Sequence, residues 1–236
     1  GLTEERVENR RRVQVFTPFG QCVFTHDRYI EELGTLYLIH YQLAKNQAEA
    51  TSWYFFFNEF SMSEFTKEDF VRNLQNYVSM HGESVAIRSL NDDFACLLNT
   101  YLSRHKTSQQ RVSPENNISC PLGELGLVDI LDKRKHTYRK VTPTASLLNP
   151  WIIYAVLIEQ AGRRRQISLN ELLTAQCNIG RIFNLDAIAM LDVLHEVELR
   201  GLLKIIRTAG LDVIELLEDV DFQDCVEHYY MEMDKE

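Results

Sequence analysis

The chain has 236 residues, of which 45% are hydrophobic and 25% charged, and it carries a formal net charge of −9. This is enough chain for one large or two small self-sufficient cores, and no apolar run approaches the roughly 18 residues of a membrane-spanning helix, so a cytoplasmic protein with no membrane association is expected. The acidic balance excludes nonspecific wrapping of nucleic acid, which draws its affinity from clustered Lys and Arg, and leaves local basic patches as the route to a polyanion.

In the first half, Val13-Gln-Val-Phe16 alternates like a short strand, and Pro18 and Gly20 mark a turn. His26-Asp27 reads as a helix start. Between 27 and 46, Leu33, Leu36, Tyr37, Ile39 and Leu43 recur at helical spacing with His40 on the same face. The stretch Glu49 to Phe60 then holds five consecutive aromatics, Trp53 to Phe57, followed by Asn58 and Glu59. Aromatics at that density cover every side of a helix, so burial is predicted on most faces, and Asn58 and Glu59 need partners if they are buried with it. A pocket or partner surface lined by Trp53, Tyr54 and the Asn-Glu pair is the sharper expectation. Thr66-Lys-Glu-Asp69 has the form of a capping box opening a helix that carries Phe70, Leu74, Tyr77 and Val78. Another helix is predicted over 91–103, a polar exposed loop over 104–121, a strand over 137–141 and a linker over 143–150.

The second half begins with Asn149-Pro150, a helix cap with proline at the first helical position, ahead of the apolar Trp151 to Ile158 and the terminating Gly162. Ser168-Leu-Asn-Glu171 forms a second capping box for a short helix through Gln176. Asp186 opens an amphipathic helix to Arg200, with Gly201 beyond its end. Residues 202–207 and 213–217 read as strands of a hairpin. The expected fold is therefore mainly α: an N-terminal helical bundle over 1–142, and a winged helix-turn-helix-like domain over 143–236 whose acidic tail from Glu218 is partly helical or frayed.

Chemistry-bearing patterns are sparse. The five cysteines include no Cys-x-x-Cys pair and read as reduced, buried small hydrophobes, with Cys120 before Pro121 the best placed of them. Phosphate-binding glycine loops, a nucleophile elbow and a His-Glu-x-x-His helix are all missing from the sequence. The best catalytic constellation is His40 with Asn58 and Glu59, where adjacent helices would bring an imidazole near an amide and a carboxylate. Asp129 and Asp132 ahead of Lys133 form a fainter carboxylate-lysine pattern. Basic clusters stand at Arg10 to Arg12, Arg104-His-Lys106, Lys133-Arg134-Lys135 with Arg139 and Lys140, and Arg163-Arg164-Arg165. The helix after Asp186 exposes Asp192, Glu196 and Glu198 beside Arg200, a poor surface for a polyanion. Lys204 and Arg207 on the first hairpin strand are better placed for phosphate.

Five blocks carry a family resemblance: Thr17-Pro-Phe-Gly20, Leu33-Gly-Thr-Leu-Tyr-Leu-Ile-His-Tyr-Gln-Leu-Ala44, the Glu49 to Phe60 block, Ser119-Cys-Pro-Leu-Gly-Glu-Leu-Gly-Leu127, and Gly180-Arg-Ile-Phe-Asn-Leu-Asp186. In that order they resemble the bacterial DUF4007 family, which is similar to SspB-type proteins. The resemblance implies a component of DNA phosphorothioation or related phage-defence systems, with DNA and sulfur-transfer proteins like phosphoadenosine-phosphosulfate reductase as partners. It also implies a further His/Arg-rich, helix-turn-helix-like segment ahead of Gly1. DNA nicking, with magnesium as its cofactor, is the enzymatic alternative. A winged-helix transcriptional regulator is the third expectation.

Overall fold

The structure, a computed structural model, describes residues 1–8, 11–102, 120–208 and 211–234. The cluster at Arg104-His-Lys106, most of the predicted 104–121 loop, and Arg10 lie outside the described residues.

An antiparallel ribbon opens the chain: β1 (Thr3–Glu8) pairs with β2 (Arg11–Phe16) in a register that sets Glu8 opposite Arg11 and Thr3 opposite Phe16. Helix α1 (Pro18–His26) follows, capped by the Thr17 hydroxyl. His26-Asp27 closes this helix instead of starting one, and the Asp27 carboxylate accepts from the amides of Glu31 and Glu32. Helix α2 (Leu33–Ala44) is buried on most faces. Helix α3 (Thr51–Tyr54) then widens into a π-helical turn over Phe55–Glu59. That widening matters for the aromatic block. An extra residue in the turn lets Phe55, Phe56 and Phe57 all enter the core, where Phe55 and Phe56 meet Phe60, Phe65 and Phe70 at ring separations of 5.3–6.0 Å and Phe57 packs on His40 and Tyr101 at 4.5 and 5.1 Å.

Strand β3 (Glu64–Phe65) precedes α4 (Lys67–Met80), whose Thr66-Asp69 capping box forms in both directions, and α5 (Ile87–Tyr101). A 3-10 turn over Pro121–Leu125 leads to β4 (Val128–Asp132) and β5 (Thr137–Lys140). Strand β5 is the middle of a sheet ordered β3-β5-β4, which places Lys140 at its end beside Ser63.

The second half runs through α6 (Pro150–Ala161), β6 (Gln166–Ser168), α7 (Leu169–Thr174), α8 (Ile179–Ile182), α9 (Ala187–Leu199), β7 (Leu203–Thr208) and β8 (Leu211–Leu216). The last sheet is antiparallel and ordered β6-β8-β7. Of the two expectations for the acidic segment after Glu218, partly helical or frayed, the helical one holds. The segment forms α10 (Phe222–Met233), opened by a reciprocal Asp221-Asp224 capping box, and buries Cys225, Val226, Tyr229 and Tyr230.

The mainly α expectation is corrected by these sheets: with 54% helix, the described residues also form eight strands in three small antiparallel sheets, a mixed α/β architecture. Several strands are too short to show alternation, β3 having two residues and β6 three. Their partners are also distant in sequence, so local periodicity could not reveal them. One continuous core runs through both halves, from Phe19 and Leu36 to Leu194 and Tyr230. Among the described residues no helix is long and apolar enough to cross a membrane.

Candidate functional site

The two halves meet along a seam of polar contacts set into this core. His40 on α2 is fully buried between Phe57 and Phe183, with ring centroids 4.5 and 6.0 Å away. Its Nε2 lies 2.8 Å from the Ile182 carbonyl and its Nδ1 2.7 Å from the Tyr101 hydroxyl. A carbonyl only accepts, so Nε2 carries the proton and Nδ1 accepts from Tyr101. Both nitrogens are thus occupied in the neutral ring. Burial holds the His40 pKa down to about 4.

Asn58 is also buried. Its amide nitrogen donates to the carbonyls of Ala44 and Tyr54 at 3.0 Å, and its oxygen accepts from the Cys177 amide at 2.6 Å. Glu59 is partly exposed and pairs with the side chain of Gln176. The three residues chosen from the sequence therefore lie on neighbouring elements but turn to different partners. His40 and Asn58 each hold the second half against the first through backbone atoms, and Glu59 does so through a side chain.

A cleft of about 570 Å³ opens at the same seam. Phe57, Phe60 and Ser61 come from the aromatic turn and the loop after it, Lys140 and Thr142 from the end of β5 and just beyond, Thr174 from the end of α7, Gly180 and Arg181 from α8, and Asp186 from the cap of α9. Gly180 is required here by space. A Cβ at this position would stand 2.5 Å from the Leu173 carbonyl oxygen and 2.6 Å from its Cα, so only glycine lets α8 lie this close to α7.

Lys140 is the main polar feature of the cleft. Its ammonium donates to the carbonyls of Phe56 and Phe60, each at 2.6 Å, and lies 4.7 Å from the centre of the Phe56 ring. The π-helical turn frees the Phe56 carbonyl, because its Phe60 amide bonds back to Phe55, and the Phe60 carbonyl lies beyond the helix end. Burial, with a smaller contribution from the nearby Arg181 charge, pushes the Lys140 pKa down to about 7. Arg181 donates through Nε to the Thr174 carbonyl at 3.1 Å, and its two terminal nitrogens have no partner among the described residues. The lining carboxylate, Asp186, caps α9 by accepting from the amides of Ile188 and Ala189.

The basic residues named from the sequence divide into two groups. Arg164 is held bidentately by Glu171, with nitrogen–oxygen distances of 3.0 and 2.7 Å, and Arg165 stands 3.7 Å from Asp219. Lys204 and Arg207 face Glu215 and Asp212 across the β7-β8 register. By contrast, Lys133, Arg134 and Lys135 form an exposed turn between β4 and β5 whose backbone is fastened by Asp132, and no acidic side chain neutralises them among the described residues. Arg163 is likewise exposed and unpaired among the described residues. Asp129 is tied to Arg139 at 2.8 Å. Sequence reasoning grouped Lys140 with the surface cluster at 133–135 and passed over Arg181. The pairing of an aromatic block with a lysine at a strand end was the available signal, but the strand pairing that joins them is not local.

These features define a mixed α/β protein with a cationic cleft at the junction of its halves. The chain belongs to the DUF4007 family, described as protein of unknown function, whose pattern matches residues 1–230. Its structure is similar to a magnesium ion-bound SspB crystal structure, with a TM-score of 0.80 and 25% identity over 98% of this chain and 71% of that one. A second SspB crystal structure matches with a TM-score of 0.76 and 22% identity over 99% of this chain and 78% of that one, a likeness of fold. No curated protein matches the chain.

Magnesium asks for oxygen ligands, usually one or two carboxylates. The cleft offers two cations and a single carboxylate already engaged in capping, and His40 has no free nitrogen, so neither place fits that ion. Among the described residues no group of three or more His, Cys, Asp or Glu is arranged to hold a metal.

Proposed function

We propose that the chain is a component of a bacterial DNA phosphorothioation or related phage-defence system, acting through contacts with DNA and with the sulfur-transfer proteins of that system. The observation that carries this reading is the SspB likeness over 98% of the chain, joined to the family resemblance. We infer DNA contact from two cationic features whose charges are not neutralised within the described residues: the turn Lys133-Arg134-Lys135 and the cleft with Lys140 and Arg181.

The order α6, β6, α7, α8, α9, β7, β8 with a β6-β8-β7 sheet supports a winged-helix-like reading of the second half. Base readout by α9 is disfavoured. Its exposed face carries Asp192 and Glu196, Arg200 is paired with Glu232 at 2.7 Å, and Glu198 accepts from the Ile205 amide, so this helix would meet phosphates with negative charge. That arrangement also weakens the regulator alternative.

A DNA titration at two salt concentrations, with and without magnesium and with products examined for nicks, tests the proposal. Salt-dependent binding without cleavage is the expected outcome, and no binding at low salt would remove the DNA component. The nickase alternative draws on the magnesium bound to the SspB relative. Loss of nicking in Glu59→Ala with folding intact would favour it, and full activity there would release Glu59 from that role.

A further inference from the structure

We propose that Lys140 and Arg181 form a binding site for the phosphate group of a nucleotide unit, seated at the junction of the two halves. The proposal rests on the DNA reading above and gives it a location and a ligand chemistry.

Three observations carry it. First, two cations line one cleft, and neither is ion-paired there: Lys140 uses two of its three donors on Phe56 and Phe60, and Arg181 spends only Nε, on Thr174. An ammonium has three N–H groups and a guanidinium five, so one donor of Lys140 and four of Arg181 remain for a ligand. Second, like charges so placed repel, and an oxyanion between them would supply both an attractive charge and acceptors for the spare donors. Asp186 does not fill this role, because its carboxylate accepts from the first amides of α9. Third, the cavity of about 570 Å³ is larger than a phosphate requires, and its remaining wall combines apolar surface of Leu173 and Ala187 with the hydroxyls of Ser61, Ser63 and Thr174. Such a wall suits a sugar and base attached to the phosphate, with apolar surface for the flat faces and hydroxyls for the edges.

The phosphate could come from the end of a DNA strand or from a free nucleotide. Titration of the full chain with a short oligothymidylate bearing a 5′-phosphate, the same strand without it, and thymidine monophosphate separates these sources. Preference for the phosphorylated strand over the bare one by about tenfold is expected, since two charge-assisted hydrogen-bonding groups are at stake. Equal binding by the monophosphate and the phosphorylated strand would assign the site to free nucleotides, and tighter strand binding would assign it to DNA; both support the site.

Arg181→Gln should abolish most of the preference. Its side chain is partly exposed on a short helix, so folding is expected to survive. Lys140→Arg keeps the charge and serves as a second probe, with selectivity retained. Absence of any preference for phosphate in the native chain, or full preference in Arg181→Gln, overturns the site. If duplex DNA still binds in that case, only the cleft assignment falls. If phosphate binds in the cleft while duplex DNA does not bind at all, the site stands and the DNA proposal falls.

Discussion

His40 and Lys140 are both nitrogen-bearing side chains at the seam between the halves, the first buried and the second half-buried, both have their pKa lowered by desolvation, and yet their surroundings differ in kind. His40 is neutral, with one donor and one acceptor matched to one acceptor and one donor. Lys140 is held by two carbonyls, faces a second cation across an open cleft and keeps an unspent donor. A closed set of hydrogen bonds signifies architecture, whereas a set left open on the side of a cavity signifies a ligand. The residue that the sequence marks as chemical is the structural one, and the residue that it marks as a member of a surface cluster is the better chemical candidate.

The largest expected effect breaks the closed side of this comparison. His40→Ala would leave the Tyr101 hydroxyl and the Ile182 carbonyl buried without partners and open a cavity between Phe57 and Phe183. Together these should cost about 3 kcal/mol of stability, measurable by denaturant unfolding, with the same loss at any ionic strength. An unchanged unfolding midpoint would mean that His40 does not pin the two halves together.

The next effect separates the two side chains by pH. The His40 pKa falls from 6.5 in its ordinary state to about 4 in the folded chain, so the unfolded chain binds a proton first as the solution is acidified. Its contribution is present above pH 6.5 and drains away between about 6.5 and 4, by about 3 kcal/mol in all. For Lys140 the ordinary value of 10.5 drops to about 7, so the unfolded chain holds a proton that the folded one has released across that interval. Stability from this group therefore rises from pH 7 toward 10.5. Unfolding curves across pH should show the first slope vanish in His40→Gln, and the second vanish in Lys140→Met.

Much of the architecture is legible in the sequence, and the reasons are local. The capping box at Thr66, the Asn149-Pro150 start, the Asp186 cap and the positions of α2, α5 and α9 follow from patterns contained within a few residues. What the sequence conceals depends on long-range pairing: the two-residue β3 and three-residue β6, and the docking of α10, whose Tyr230 hydroxyl lies 2.6 Å from that of Thr35. The cleft is concealed for the same reason. Lys140 and Arg181 meet only because β5 sits centrally in its sheet and Gly180 lets α8 approach α7. The burial of the aromatic block is legible from its density, but the π-helical turn that achieves it is not.

A third effect sharpens the open side. If the cleft binds phosphate while Lys140 is charged, affinity should fall as pH rises through about 7, because the neutral amine no longer attracts the ligand. The charged groups facing Lys140 are Arg181 from α8 and Asp186 at the start of α9, and a terminal phosphate loses its second proton at about pH 6, so the comparison is made from pH 7 upward. Binding measured for the phosphorylated oligothymidylate at pH 7 and pH 8.5 reads the difference, and Lys140→Arg should flatten it. A native profile that is already flat would leave the Lys140 charge without a part in binding.

The smallest effects lie on the surface and contrast paired with unpaired cations. Arg164 is clasped by Glu171 in an exposed position, so Arg164→Ala should leave the unfolding midpoint and DNA affinity nearly unchanged. Replacing Lys133, Arg134 and Lys135 with Ala removes cations that have no acidic partner among the described residues, and should lower duplex affinity at low salt while leaving the unfolding midpoint in place. The slope of log affinity against log salt should shrink by about 0.9 for each phosphate that is no longer neutralised. If the Arg164 variant instead shows the larger drop in slope, Glu171 neutralises its partner less than their geometry implies, and runs of positive charge in the sequence would be the better guide to where this protein meets DNA.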